Sequence, residues 1–199
     1  MNALLTEEDA EPSLVVDLTP NIPPHNGAIE EGPEGYQPPE GQTNLPEESM
    51  IAPIVAGEDY VVISGFYDVN ASEEERMNSI VVYNNMVQNN VTTNFKSVTE
   101  QEFDVVSVFS GIVTRVNSTL LYGNMVEILH DNGLTTTYYS LGNVAVAVDE
   151  EVGQGDVIGT AGTCEIDAEN GIQVRLRVQK DGINLNPESV LGNRISDIN

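Results

Sequence analysis

Cysteine is almost missing from this chain of 199 residues: Cys164 stands alone, so no intrachain disulfide can form. A single thiol points to neither a reducing nor an oxidising compartment. Its Gly/Thr surroundings run into Glu165 and Asp167, and acidic neighbours disfavour the thiolate, which argues against a reactive nucleophile. Basic residues are scarce as well, 7 Lys and Arg against 32 Asp and Glu, for a formal net charge of −25. Nucleic-acid binding needs a basic face, so that class of partner is set aside. Adhesion to an anionic membrane surface is set aside on the same ground. A basic protein partner is compatible with the charge, and so is simple solubility. No apolar run reaches the length of about 18 residues that a membrane-spanning helix requires. The N-terminus lacks the basic and apolar regions of a signal peptide. The expectation is a soluble chain, or one whose targeting segment lies outside this sequence.

Proline is rare after residue 48, because eight of the ten lie before it, in a stretch with no Lys or Arg at all. Such a segment buries too little apolar surface to offset the entropy of ordering its backbone. Residues 1–49 are therefore expected to be a disordered, acidic, Pro-rich segment. Within it, Leu14–Leu18 has the composition of a short edge strand, and His25 reads as an exposed residue rather than a ligand.

From Met50 onward the pattern changes. Tyr60–Ile63 reads as a strand, and Phe66-Tyr67-Asp68 comes after a break at Gly65. Ser72-Glu73-Glu74-Glu75 has the form of a capping box with an acidic first turn, which predicts one helical turn followed by a strand at Ile80–Tyr83. Residues 84–101 are polar and irregular. Phe103–Val116 reads as two strands around Ser110-Gly111, and Met125–His130 and Leu134–Leu141 as two more. Asn132-Gly133 between that second pair tolerates the positive φ of a tight hairpin turn. Val144–Val148 alternates again, and Gly153, Gly155, Gly159 and Gly162 punctuate the next segment. Then Gly171–Val178 alternates strictly, with Ile172, Val174, Leu176 and Val178 on one face and Gln173, Arg175 and Arg177 on the other, the period of a half-buried strand. Short strands joined by regular turns predict a mainly β fold, a sandwich or partly open barrel with at most one short helix.

The order and spacing of these pieces resemble the LytM/lysostaphin-type zinc metallopeptidases. The resemblance is carried by Val108–Val113, Gly123–Ile128, Asn132-Gly133, Thr136–Leu141, Val152–Gly159, Ala161-Gly162 and Asn186-Pro187, and spans roughly Phe103–Leu191. It implies a LytM-like fold of the duplicated-hybrid-motif type over residues 50–192, with a tail at 193–199.

An active member holds zinc through three protein groups and leaves one position open for water. By resemblance, the family's His-x-x-x-Asp positions fall on Asn90 and Asn94, its Tyr-x-His-Leu histidine on Ser140, and its His-x-His pair on Gln173 and Arg175. Amides bind zinc poorly, and an always-charged guanidinium repels it. The resemblance thus implies vestigial metal positions at Asn90, Asn94 and Arg175, vestigial catalytic positions at Ser140 and Gln173, and neither metal, cofactor nor peptidase activity. His130 falls at none of these positions and reads as structural or solvent-facing. Glu165, Asp167 and Glu169 read as a solvated acidic loop rather than a weak cation site.

A narrower resemblance, to the stage II sporulation protein Q family, rests on Phe66-Tyr67-Asp68, Glu73–Glu75, Asn78–Tyr83 and Phe103-Asp104-Val105, and extends the match to about Ile51–Leu191. It implies a non-catalytic ectodomain, anchored in the forespore membrane by a segment outside this sequence and lying in the intermembrane space. Its implied partner is the ectodomain of stage III sporulation protein AH, in an intercellular channel with a possible homo- or hetero-oligomeric ring. Partner-facing residues are not assigned. The alternatives are a degenerate LytM-type activator of a cell-wall amidase and a zinc endopeptidase with unconventional ligands.

Overall fold

The computed structural model describes residues 47–199. The expected acidic segment lies outside these residues except for positions 47–49, as do Leu14–Leu18 and His25. Fourteen regular elements occupy them in chain order: β1 (Tyr60–Ser64), α1 (Glu73–Asn78), β2 (Ile80–Tyr83), β3 (Met86–Asn89), β4 (Thr93–Ser97), β5 (Asp104–Val106), β6 (Gly111–Thr119), β7 (Gly123–His130), β8 (Leu134–Val144), β9 (Glu151–Val152), β10 (Val157–Ala161), β11 (Val174–Lys180), β12 (Ile183–Leu185) and α2 (Pro187–Val190). The main sheet runs β1-β4-β11-β8-β7-β6-β9, with β10 joining β5 to β8 and β12 on the end of β11, while β2 and β3 form a separate hairpin.

Helix α1 forms where the capping box predicts it. The Ser72 hydroxyl accepts from the Glu75 amide at 3.3 Å, and Glu75 Oε2 accepts from the Ser72 amide at 2.9 Å. Strand β2 comes directly after it. The hairpin between β7 and β8 turns through Asn132 (φ 61°) and Gly133 (φ 66°), both in the left-handed region these residue types tolerate. The second helix, α2, is four residues long, with Pro187 at its first turn and the Asn186 side chain capping the Glu188 amide. It adds to the single short helix expected.

Phe95, Val105, Val108, Phe109, Val113, Val126, Ile128, Tyr138, Ile158, Val174 and Leu176 make one core, each fully buried or within 2% of it. Two expectations change here. Residues 193–199 are not a loose tail: Ser49 bridges Arg194, Asn132 Nδ2 donates to the carbonyls of Ile195 and Ile198, and Ile198 joins the core at 2% exposure. Strand β11 is not half-buried. It lies between β4 and β8, and its polar side chains meet Asn90, Cys164 and Asp167 from the loops beside it, leaving Gln173 at 0%, Arg175 at 3% and Arg177 at 8% exposure.

Residues 84–101, expected to be irregular, contain β3 and β4. Strand β4 reads Thr-Asn-Phe-Lys-Ser and is buried along almost its whole length. Its apolar content is too low to announce a strand: Asn94 and Ser97 are buried on hydrogen-bond partners inside the protein, while the buried Thr93 hydroxyl has none. Conversely, the alternating Val144–Val148 stretch leaves the sheet after Val144. Phe66-Tyr67-Asp68 is a loop held by the Tyr67 amide on the Asn90 carbonyl at 2.8 Å.

Candidate functional site

The covered polar face beside β11 is where Asn90, Asn94, Gln173 and Arg175, four of the five positions singled out by the resemblance, come together. Strand pairing sets Asn94 of β4 opposite Arg175, and Tyr139 of β8 opposite Arg175 on its other side. Directly paired residues of antiparallel strands share a face. Just before β4, Asn90 is locked by its own side chain: Nδ2 donates to Ser64 Oγ at 3.1 Å and to the Gly65 carbonyl at 2.9 Å. Its Oδ1 accepts from Arg175 Nη2 at 3.4 Å. The Thr92 hydroxyl lies 2.6 Å from Asn90 Oδ1 and 2.7 Å from Asn94 Oδ1, and its one proton serves one of them.

Asp167 organises the other half of the site. Its Oδ2 accepts from Asn94 Nδ2 at 2.9 Å and from Gln173 Nε2 at 3.0 Å, and its Oδ1 from Asn170 Nδ2 at 2.6 Å. Glu165 and Glu169 are exposed, as a solvated loop requires, while Asp167 between them turns inward. That inward turn corrects its reading as one of three solvated acids.

Ser140 is buried at 0% exposure and its hydroxyl has no partner. Its φ is 61°, in a region non-glycine residues rarely adopt. The cause lies in the pairing: Asn124 faces Leu141 and Val126 faces Tyr138, so β8 has one residue more than β7 across this step. Ser140 is part of that bulge.

Zinc does not suit these residues. Asn90 and Asn94 offer neutral amide oxygens already within hydrogen-bonding distance of Thr92. Arg175 brings a fixed positive charge onto Asn90 itself. Among the described residues no three His, Cys, Asp or Glu side chains gather as a metal centre.

The remaining histidine is elsewhere. His130 is 4% exposed, its Nδ1 is 2.9 Å from the Ser110 carbonyl and its Nε2 is 2.6 Å from Thr136 Oγ1. A carbonyl only accepts, so Nδ1 carries the proton and Nε2 takes the Thr136 hydroxyl. Burial is the main cause that pushes its pKa down to about 4. It is structural, as one of the two readings had it, and not solvent-facing.

The family model for Peptidase family M23 matches residues 92–187. A chain of the solved SpoIIQ–SpoIIIAH pore forming complex is 31% identical, with a TM-score of 0.74 over 77% of this chain and 97% of that one. The chain belongs to the stage II sporulation protein Q family. Stage II sporulation protein Q of Bacillus subtilis (strain 168) is 31% identical over 151 residues, covering 76% of this chain and 53% of that protein. The chain therefore spans about half the length of that relative. A zinc containing peptidase from Vibrio cholerae shares the M23 fold at 20% identity, with a TM-score of 0.55 over 71% of this chain and 40% of its own. The expected mainly β, LytM-like fold is thus the observed one.

Proposed function

We propose that this M23 domain is a non-catalytic docking module, and that its partner is an ectodomain like that of stage III sporulation protein AH. The observation that carries the reading is the likeness, at 31% identity and 97% coverage, to a chain of the SpoIIQ–SpoIIIAH pore forming complex. The interior of the site supports the non-catalytic half. Its Asn90, Asn94, Gln173 and Arg175 hold one another and Asp167, so the positions that resemble those of zinc ligands have become a hydrogen-bonded filling. In this reading the domain lies in the space between forespore and mother-cell membranes, and residues 1–49 link it to an anchor.

Calorimetric titration of the 199-residue chain with a stage III sporulation protein AH ectodomain tests the proposal, once with zinc added and once with zinc chelated. Saturable binding, equal in both conditions, is the expected result. Binding that vanishes on chelation would overturn the metal-free reading, and silence in both would overturn the docking reading.

A further inference from the structure

One stretch of the chain leaves the main sheet and returns to it. After β1 the backbone departs at Gly65, runs through α1 and the β2–β3 hairpin, and comes back at Asn90 just before β4. The two ends are pinned to each other: the Tyr67 amide donates to the Asn90 carbonyl at 2.8 Å, and Asn90 Nδ2 donates to the Gly65 carbonyl at 2.9 Å. Residues 68–89 hang from that neck. Their hairpin is a sheet of its own, and among the described residues no hydrogen bond joins it to a strand of the main sheet. Among the described residues the ion pairs are Lys96–Glu100, Arg115–Glu127, Lys180–Asp181 and Arg194–Glu47, and none involves residues 68–89. Helix α1 buries none of its residues. One small apolar patch holds the stretch down: Val81, on the inner face of the hairpin with Tyr83, packs with buried Cys164 and Ile166 and with Leu121 and Tyr122. The opposite face, with Ile80, Val82 and Val87, is exposed. A two-stranded hairpin standing alone is marginally stable in water, so its position depends on that patch.

Beneath the patch lies the refilled site. Cys164 Sγ is 3.9 Å from Arg175 Nη1, and Ile166 precedes Asp167, which holds Asn94 and Gln173. The loop that carries them is fastened separately, by the Ile166 amide on the Leu121 carbonyl at 3.0 Å, so it need not follow the hairpin. Closure also has an opposing term. Arg175 is 3% exposed, its Nε is buried with no partner, and its contact with Asn90 Oδ1 is long at 3.4 Å. A charge taken out of water is costly unless a counter-charge or full hydrogen bonding offsets it. Water reaching this face would supply the missing partner. Elements held by few buried contacts open at a lower free energy than the whole fold. We propose that residues 68–89 are a lid, hinged at the neck between Gly65 and Asn90. It lifts off Cys164 and Ile166 while the main sheet stays folded, and so admits water to the face that carries Arg175. This inference is independent of the docking partner.

Cys164, the one thiol of the 199-residue chain, reports on the lid because it is buried under Val81. The chain is mixed with excess of an aromatic disulfide that releases a coloured thiolate when Cys164 attacks it, over a series of urea concentrations. Labelling should be far slower than in the urea-unfolded chain. Its rate should stay almost flat with urea up to the foot of the unfolding transition, because lifting the lid exposes little surface. Val81→Ala, which weakens only the patch, should raise that rate about tenfold. Val113→Ala, in the core of the main sheet, should lower the urea midpoint and leave the low-urea rate unchanged. A rate that climbs from the outset with the slope of global unfolding overturns the lid without any variant. So does a Val81→Ala rate equal to that of the parent, since Cys164 would then reach solvent by another route. Labelling as fast as in the unfolded chain overturns it too, because nothing would then cover the thiol.

Discussion

His130 shows how far one side chain departs from its solution behaviour when its surroundings are fixed. The imidazole is held neutral between the Ser110 carbonyl and the Thr136 hydroxyl, which is itself 3.3 Å from the Tyr138 hydroxyl under the Val108 amide. Its pKa is about 4 in the folded chain against 6.5 for the free side chain. Between those two values the unfolded chain binds a proton that the folded chain refuses. Stability from this group is therefore complete above pH 6.5 and drains as the pH falls towards 4. At pH 5 the loss amounts to about 2 kcal/mol. Urea unfolding of the parent and of His130→Gln across this window checks it: their stabilities should converge by that amount on acidification, because carboxylate protonation affects both alike. Parallel profiles would refute the buried neutral imidazole. Nothing around His130 in the sequence announces its burial, since both its partners come from residues that meet it only through strand pairing. Asn90, Asn94, Ser140, Gln173 and Arg175 were legible as a set only because their positions match a known motif order. Asp167 has no counterpart in that motif, and only the folded loop shows it turning inward.

Strands were readable where one face is apolar and unreadable where neither is. Gly171–Val178 and Met125–His130 carry their period in plain view. Strand β4 does not, because Asn94 is buried through its hydrogen bond to Asp167 and Thr93 through its pairing with Leu176 of β11, not through an apolar face. The glycines are a second kind of legible signal, and the structure separates those that mark turns from those that mark contact. Gly159 of β10 is a contact glycine: a Cβ there would lie 2.2 Å from the Asn143 carbonyl of β8. That oxygen belongs to a backbone held in the sheet, so it has nowhere to move. Gly65 differs, since its Cβ would meet only the Glu188 carboxylate at 3.2 Å, at the end of a flexible side chain. Gly159→Ala should therefore destabilise by about 3 kcal/mol or more, and Gly65→Ala should stay within about 0.5 kcal/mol of the parent. Denaturant midpoints of the two variants decide this, and equal midpoints would mean that β8 and β10 can separate without penalty.

At the scale of the whole molecule, a net charge of −25 works against the compact state, because folding draws like charges together. The described ion pairs do little to offset it. Glu100 and Asp181 are about three-quarters exposed and Arg194 about two-thirds, so those three pairs are screened by water. Arg115–Glu127 is the better-buried exception, with the Glu127 side chain 12% exposed. Repulsion spread over many acids therefore outweighs attraction confined to a few contacts. Added salt shortens the reach of both, to about 8 Å at 0.15 M, but it removes more of the long-range repulsion than of pairs already in contact. The thermal midpoint of the chain should rise as sodium chloride goes from near zero to about 0.15 M and then level off. Buried Arg175 and Arg177 lie largely beyond this screening, so Arg177→Met should show the same slope with salt as the parent. A midpoint that falls with salt would mean that specific ion pairs, not the acidic field, set the balance. A slope changed by Arg177→Met would mean that this guanidinium is coupled to the surface field, contrary to its burial.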